Sequence, residues 1–128
     1  MARMTEVLSM IAILAGLCLS LAPRSATASG ICLLHAQPFA LRSDTVRWSI
    51  KIKAGSECIQ GLRWSTIMID SISIVEAPKS GRLMIQGPSF RYFANANAAG
   101  SDSFKIAISG TSLHVNGTSS IEVDVTSQ

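Results

Sequence analysis

The chain has 128 residues, 48% of them hydrophobic and 15% charged, with eleven basic side chains against eight acidic ones. A net charge of +3 points to neither nucleic acid nor an anionic membrane as a partner, and this length holds one domain with a single core. Much of the apolar content is concentrated at the N-terminus, where it carries a different meaning from core.

Met1 to Glu6 is short and polar, with Arg3 and the terminal amine as positive charge. Val7 to Leu21 is an apolar run of 15 residues, short of the roughly 20 that a membrane span needs. Pro23 breaks any helix, and Ala26-Thr27-Ala28 offers the small side chains of a signal-peptidase site. Residues 1–28 therefore read as a cleavable signal peptide, and residues 29–128 as the exported domain, periplasmic or secreted. Leu17 precedes Cys18 and Ile31 precedes Cys32, so neither cysteine fits lipid attachment. Losing Arg3, Arg24 and Glu6 leaves 100 residues with a net charge of +2. Losing Cys18 leaves Cys32 and Cys58, an even pair that an oxidising compartment should join as a disulfide.

In the remainder, Phe39 to Leu41 is a candidate first strand, preceded by Pro38. Val46, Trp48, Ile50 and Ile52 alternate with Arg47, Ser49, Lys51 and Lys53, the period of a strand half buried under a cationic outer face. From Ser65 to Val75 the apolar phase switches: Ile67 and Ile69 share one parity, Ile72 and Ile74 the other. A β-bulge or a bend at Asp70-Ser71 reconciles them. Ala77 to Gly81 is a turn, Arg82 to Gln86 a short strand, and Gly87-Pro88 another turn, after which Phe90 and Tyr92 begin a further strand. Asn95 to Ser101 reads as a loop. Phe104, Ile106 and Ile108 alternate next, then Asn116-Gly117 reads as a hairpin turn rather than a glycosylation site, and Ile121, Val123 and Val125 close the chain. About seven short strands without helical periodicity predict an all-β, two-sheet immunoglobulin-like sandwich.

The order Pro78-Lys79-Ser80-Gly81, Phe90-Arg91-Tyr92, Gly100-Ser101-Asp102-Ser103-Phe104 and Val123-Asp124-Val125 resembles the bacterial Ig-like and cadherin-like modules of exported proteins. The likeness covers about half of the exported domain. The opening half, with Gly55-Ser56-Glu57-Cys58, is similar to small rhizobial-type exported proteins of unknown function. The resemblance implies a sandwich used for adhesion, carbohydrate binding or spacing. This chain carries one copy and lacks the acidic calcium motifs of cadherins. In the shared motif Gly100 would permit a positive φ, Asp102 would accept backbone N–H groups at a corner, Phe104 would plug the core, and Gly81 would allow the exit from the Pro78 turn.

The side chains form no recognisable catalytic constellation, so no catalytic, cofactor-binding or metal residue is assigned. No serine sits in a nucleophile elbow, and Glu122 and Asp124 fall on a solvent face. A non-enzymatic module that binds an envelope protein or polysaccharide, or serves structurally, is the leading expectation. The alternative is a small metal-binding protein using His35, His114, Met68 and Met84. Arg47, Lys51 and Lys53 share one strand face and form a possible partner surface, which is also the charge pattern of a strand protected against aggregation. By parity Trp48 is core. Trp64, beside Arg63 in a turn, reads equally as an exposed indole that stacks on a sugar or a partner and as a ring that covers the core or the disulfide.

Overall fold

The computed structural model describes residues 32–64, 66–97 and 100–128; the segment expected to be a signal peptide, its expected cleavage point and Cys18 lie outside them. Strands follow one another without a helix among the described residues: β1 (Leu33–His35), β2 (Asp44–Ile52), β3 (Glu57–Gly61), β4 (Ile67–Glu76), β5 (Arg82–Gln86), β6 (Ser89–Phe93), β7 (Gly100–Ser112) and β8 (Val115–Ser127). They form a five-stranded sheet, β1-β2-β8-β7-β4, and a three-stranded sheet, β3-β6-β5. With β4-β7-β8 taken as C-F-G and β3-β6-β5 as B-E-D, this is an immunoglobulin-like sandwich. Its first long strand, β2, runs parallel to the last, β8, from Asp44 opposite Ser119 to Ile52 opposite Ser127.

Period-two alternation builds the core as the sequence indicates. Trp48, Ile50 and Ile52 of β2, Phe104, Ile106 and Ile108 of β7, and Ile121, Val123 and Val125 of β8 all point inward and are buried. Phe90 and Tyr92 meet them from the smaller sheet. Phe90 lies edge-on to Phe104 with ring centroids 5.4 Å apart, and Tyr92 stacks on Phe104 at 5.7 Å. These rings carry much of the contact between the sheets, and removing one such aromatic side chain costs about 3–5 kcal/mol. The phase switch in β4 is a bulge, because the register with β7 shifts between Ile69 and Ser71; a second shift follows between Ile74 and Glu76.

Cys32 and Cys58 are joined, with Cα atoms 5.4 Å apart. Cys32 precedes β1, at one edge of the large sheet, and Cys58 lies on β3, at one edge of the small sheet. The bond therefore staples the two sheets along one flank.

Two expectations are corrected. Phe39 to Leu41 is not a strand. Its side chains at 39 and 41 are buried, which produces the two-residue period, but its backbone bonds to side chains instead of a neighbouring strand. Leu41 N–H donates to Ser119 Oγ at 2.9 Å, while Ala40 and Arg42 N–H both donate to the Asp44 carboxylate at 3.0 Å. Leu41 and Ser43 have φ values of 54° and 58°, which interrupt extended backbone. The short first strand is Leu33–His35 instead, paired with β2. Nor is Asn116-Gly117 the hairpin turn. Leu113 and His114 make it, with φ values of 50° and 68°, as a two-residue primed turn requires. Gly117 sits within β8 opposite Gly110, and a Cβ there would collide with the Leu41 carbonyl. Its glycine serves close approach of the 36–43 segment, not turning.

Candidate functional site

The flank opposite the disulfide is bounded by β4 and β5, the outer strands of their sheets. One end of this flank is closed by Asp102, as the G-x-D-x-F motif implies. Its carboxylate accepts the N–H groups of Lys79 at 2.9 Å, Ser80 at 3.3 Å, Gly81 at 2.9 Å and Ser103 at 2.9 Å, and the Tyr92 hydroxyl at 2.7 Å. The β4–β5 connection is thus tied to β6 and β7. Burial alone would raise the Asp102 pKa, but the bonds from Gly81, Tyr92, Lys79 and Ser103 outweigh it and hold the carboxyl below its ordinary range. The Tyr92 hydroxyl is pushed well above its ordinary value, first by burial and then by its bond to that carboxylate. Gly81 fits here because a Cβ would strike the Tyr92 hydroxyl. Gly100, two residues before the carboxylate, has a φ of 143°.

The other end of the flank is open. Leu62 N–H donates to the Pro88 carbonyl at 2.8 Å, tying the end of β3 to the β5–β6 turn, and Ile67 N–H donates to the Trp64 carbonyl at 2.8 Å. Between these tethers lies a cleft of about 520 Å³, with Ile67 and Ile69 in its lining, Trp64 and Arg63 from the β3–β4 connection, Asp70 and Ser71 from the bulge, and Pro88 from the turn. Trp64 is 43% exposed, against 2% for Trp48. The bulge places Asp70 out of the pairing register with β7, as bulges do where a side chain is re-aimed. An indole face, a guanidinium and a carboxylate on one concave surface can stack on a flat apolar face and hydrogen-bond polar groups at its edge.

Apart from Met68, the other residues singled out from sequence lie elsewhere. Arg47 is on the outer face of the large sheet but is engaged, by Glu122 at 3.0 Å and Asp124 at 2.9 Å, both from the adjacent β8. Their charge raises its pKa, Asp124 contributing first. Lys51 and Lys53 are exposed beside Leu33 and Gln128. Lys51 is level with Ser101 on β7, whereas Ile67, three residues beyond Trp64, is level with Ser112. Those eleven residues of strand separate lysine from indole by about 35 Å, so the basic positions and Trp64 do not share a surface. His35, level with Asp124, and His114, in the β7–β8 turn, are similarly held apart by about 30 Å along β8. Met68 is exposed on β4 and contributes to the lining of the cleft, whereas Met84 is exposed on the outer face of the small sheet. One ion cannot bridge both histidines within a molecule. Among the described residues no group of three or more His, Cys, Asp or Glu side chains is placed to hold a metal ion.

Sequence reasoning singled out Trp64 and the bulge separately but did not join them. Asp70 and Pro88 were missed as site residues because their convergence depends on the long-range packing of β4 against the β5–β6 turn. No protein-family model matches the chain, and a search of curated proteins finds no match.

Proposed function

We propose that the chain is an exported, non-enzymatic sandwich module that binds a component of the cell envelope through the cleft at Trp64. The observation that carries this reading is an indole 43% exposed in a concave site of about 520 Å³, flanked by Arg63 and Asp70. Large apolar surface left uncovered in such a setting is a recurring feature of binding sites. The Cys32–Cys58 bond supports an oxidising destination, in keeping with the signal-like N-terminus.

Between a polysaccharide and an envelope protein, the cleft favours the polysaccharide. A protein segment adding as a strand needs a long regular edge, and β4 is interrupted by two register shifts along ten residues. A sugar needs only a stacking face with hydrogen-bonding groups beside it.

Cosedimentation of purified protein with insoluble envelope polysaccharide tests the reading. Wild type should pellet with it and Trp64→Ala should remain in the supernatant. Equal pelleting of the two would remove the cleft from the account. Robust turnover of ester, glycoside or peptide substrates, lost on changing one polar residue, would overturn the non-enzymatic part.

A further inference from the structure

The outer face of the large sheet carries one row of charge that spans four strands. Arg47 on β2 is in register with Glu122 on β8, Glu122 with Lys105 on β7, and Lys105 with Glu76 on β4. Residues in register project to the same side of a sheet, and all four side chains line one shallow depression of about 180 Å³. Read across the sheet, the order is plus, minus, plus, minus. The next row, Thr45, Ser120, Ala107 and Ser73, consists of small side chains. Nothing bulky along it would keep a second flat surface away.

That order has a property that not every neutral arrangement shares. Turned by 180° about an axis parallel to the strands, between β8 and β7, it becomes minus, plus, minus, plus. A second copy placed face to face by this rotation sets Arg47 against Glu76 and Glu122 against Lys105, twice each. A plus, minus, minus, plus row would stack like on like. The neighbouring charges do not spoil the match. Asp124 would face Ser103 of the other copy, and Lys51 lies beyond the level at which β4 ends.

We propose that this face is a two-fold interface with a second copy of the chain, its register set by the Arg47–Glu122–Lys105–Glu76 row. The in-chain ion pairs do not compete strongly with it. Arg47 to Asp124, Arg47 to Glu122 and Lys105 to Glu122, at 2.9, 3.0 and 3.8 Å, join side chains 27–67% exposed, and such pairs contribute little in water. Between facing sheets about 10 Å apart the same charges are better shielded from solvent and gain a second partner. Isologous two-fold contacts are the commonest closed assembly, and this one leaves no open end to polymerise. Four strands by about six residues give a footprint of roughly 19 by 20 Å, about 760 Å² over both copies, below the size of stable interfaces, so the dimer is a weak and transient one. The inference does not rest on the cleft reading, because the four charges lie outside the Trp64 site.

Sedimentation equilibrium over a concentration series, at low and high salt, tests it. Wild type should form a dimer that high salt weakens. Arg47→Glu alone and Glu76→Arg alone each stack like charges and should weaken dimerisation by roughly tenfold or more. Mixed in equal amounts, the two variants should recover a heterodimer, since each supplies the charge that the other lacks. Lys105→Glu and Glu122→Lys, on the central strands, should behave as a second such couple and stand in if either member of the first is unfolded by its far-UV spectrum. A wild type that stays monomeric throughout, single variants that dimerise like wild type, or mixtures that remain monomeric would each overturn the proposal.

Discussion

The two flanks of the sandwich are closed by different means. On one, Cys32 beside β1 is bonded to Cys58 on β3, so the outer strands of both sheets are covalently tied. On the other, β4 and β5 are held by the Asp102 carboxylate at one end only, and the end at Trp64 stands open. A covalent tie fixes its flank directly, whereas a corner clamp fixes the chain connection and leaves the neighbouring edge free. The stable flank preserves the fold and the open flank is available to bind.

Breaking the covalent flank should have the largest effect. Sequence separation between the cysteines is 26 residues, for which chain-entropy arguments give about 3.5 kcal/mol. Cys32→Ser with Cys58→Ser should therefore lower Tm by roughly 15–25 °C in a domain of this size, measured by thermal denaturation without reductant. Next comes the corner. Asp102→Ala strands the Tyr92 hydroxyl and several N–H groups, and urea unfolding should show a loss of about 3 kcal/mol. A loss below about 1 kcal/mol would mean that the connection holds by packing alone.

Acid should act on the same corner more gently. Asp102 and Asp44 have folded-state pKa values below ordinary, so each favours the folded state above the unfolded pKa. For Asp44, burial pulls upward and is outweighed by the bonds from Ser119 Oγ and from the Arg42 and Ala40 N–H groups. Stability should hold above about pH 4 and decline as pH falls through the folded values. Asp102→Asn should flatten that decline in denaturant titrations at successive pH values. The smallest effect on stability belongs to the open flank: Trp64 is 43% exposed, and Trp64→Ala should lower the unfolding free energy by about 1 kcal/mol. A much larger shift would make Trp64 part of the core and undo the contrast between the flanks.

Local chemistry made the sheet cores and the corner legible. Val46 to Ile52 alternates because one face of β2 is buried, the break in parity at Asp70 marks a real register shift, and Asp102 gathers N–H groups as its motif implies. Segment 36–43 misled because burial at 39 and 41 mimics a strand when hydrogen bonds go to Asp44 and Ser119. Asn116-Gly117 misled because a glycine needed for close approach looks the same in sequence as one needed for a turn. The cleft was only half legible. Trp64 announced itself, but Pro88 reaches it through contacts between elements distant in the chain, which no local pattern records.

The proposed binding role of the open flank is tested most directly by indole fluorescence. Titrating a panel of neutral and anionic soluble polysaccharides into the protein should produce, for at least one of them, a saturable change that originates from exposed Trp64 and not from buried Trp48. The account expects that change to vanish in Trp64→Ala while the fold persists. An absence of saturable change across the panel, or an identical titration in the variant, would contradict it.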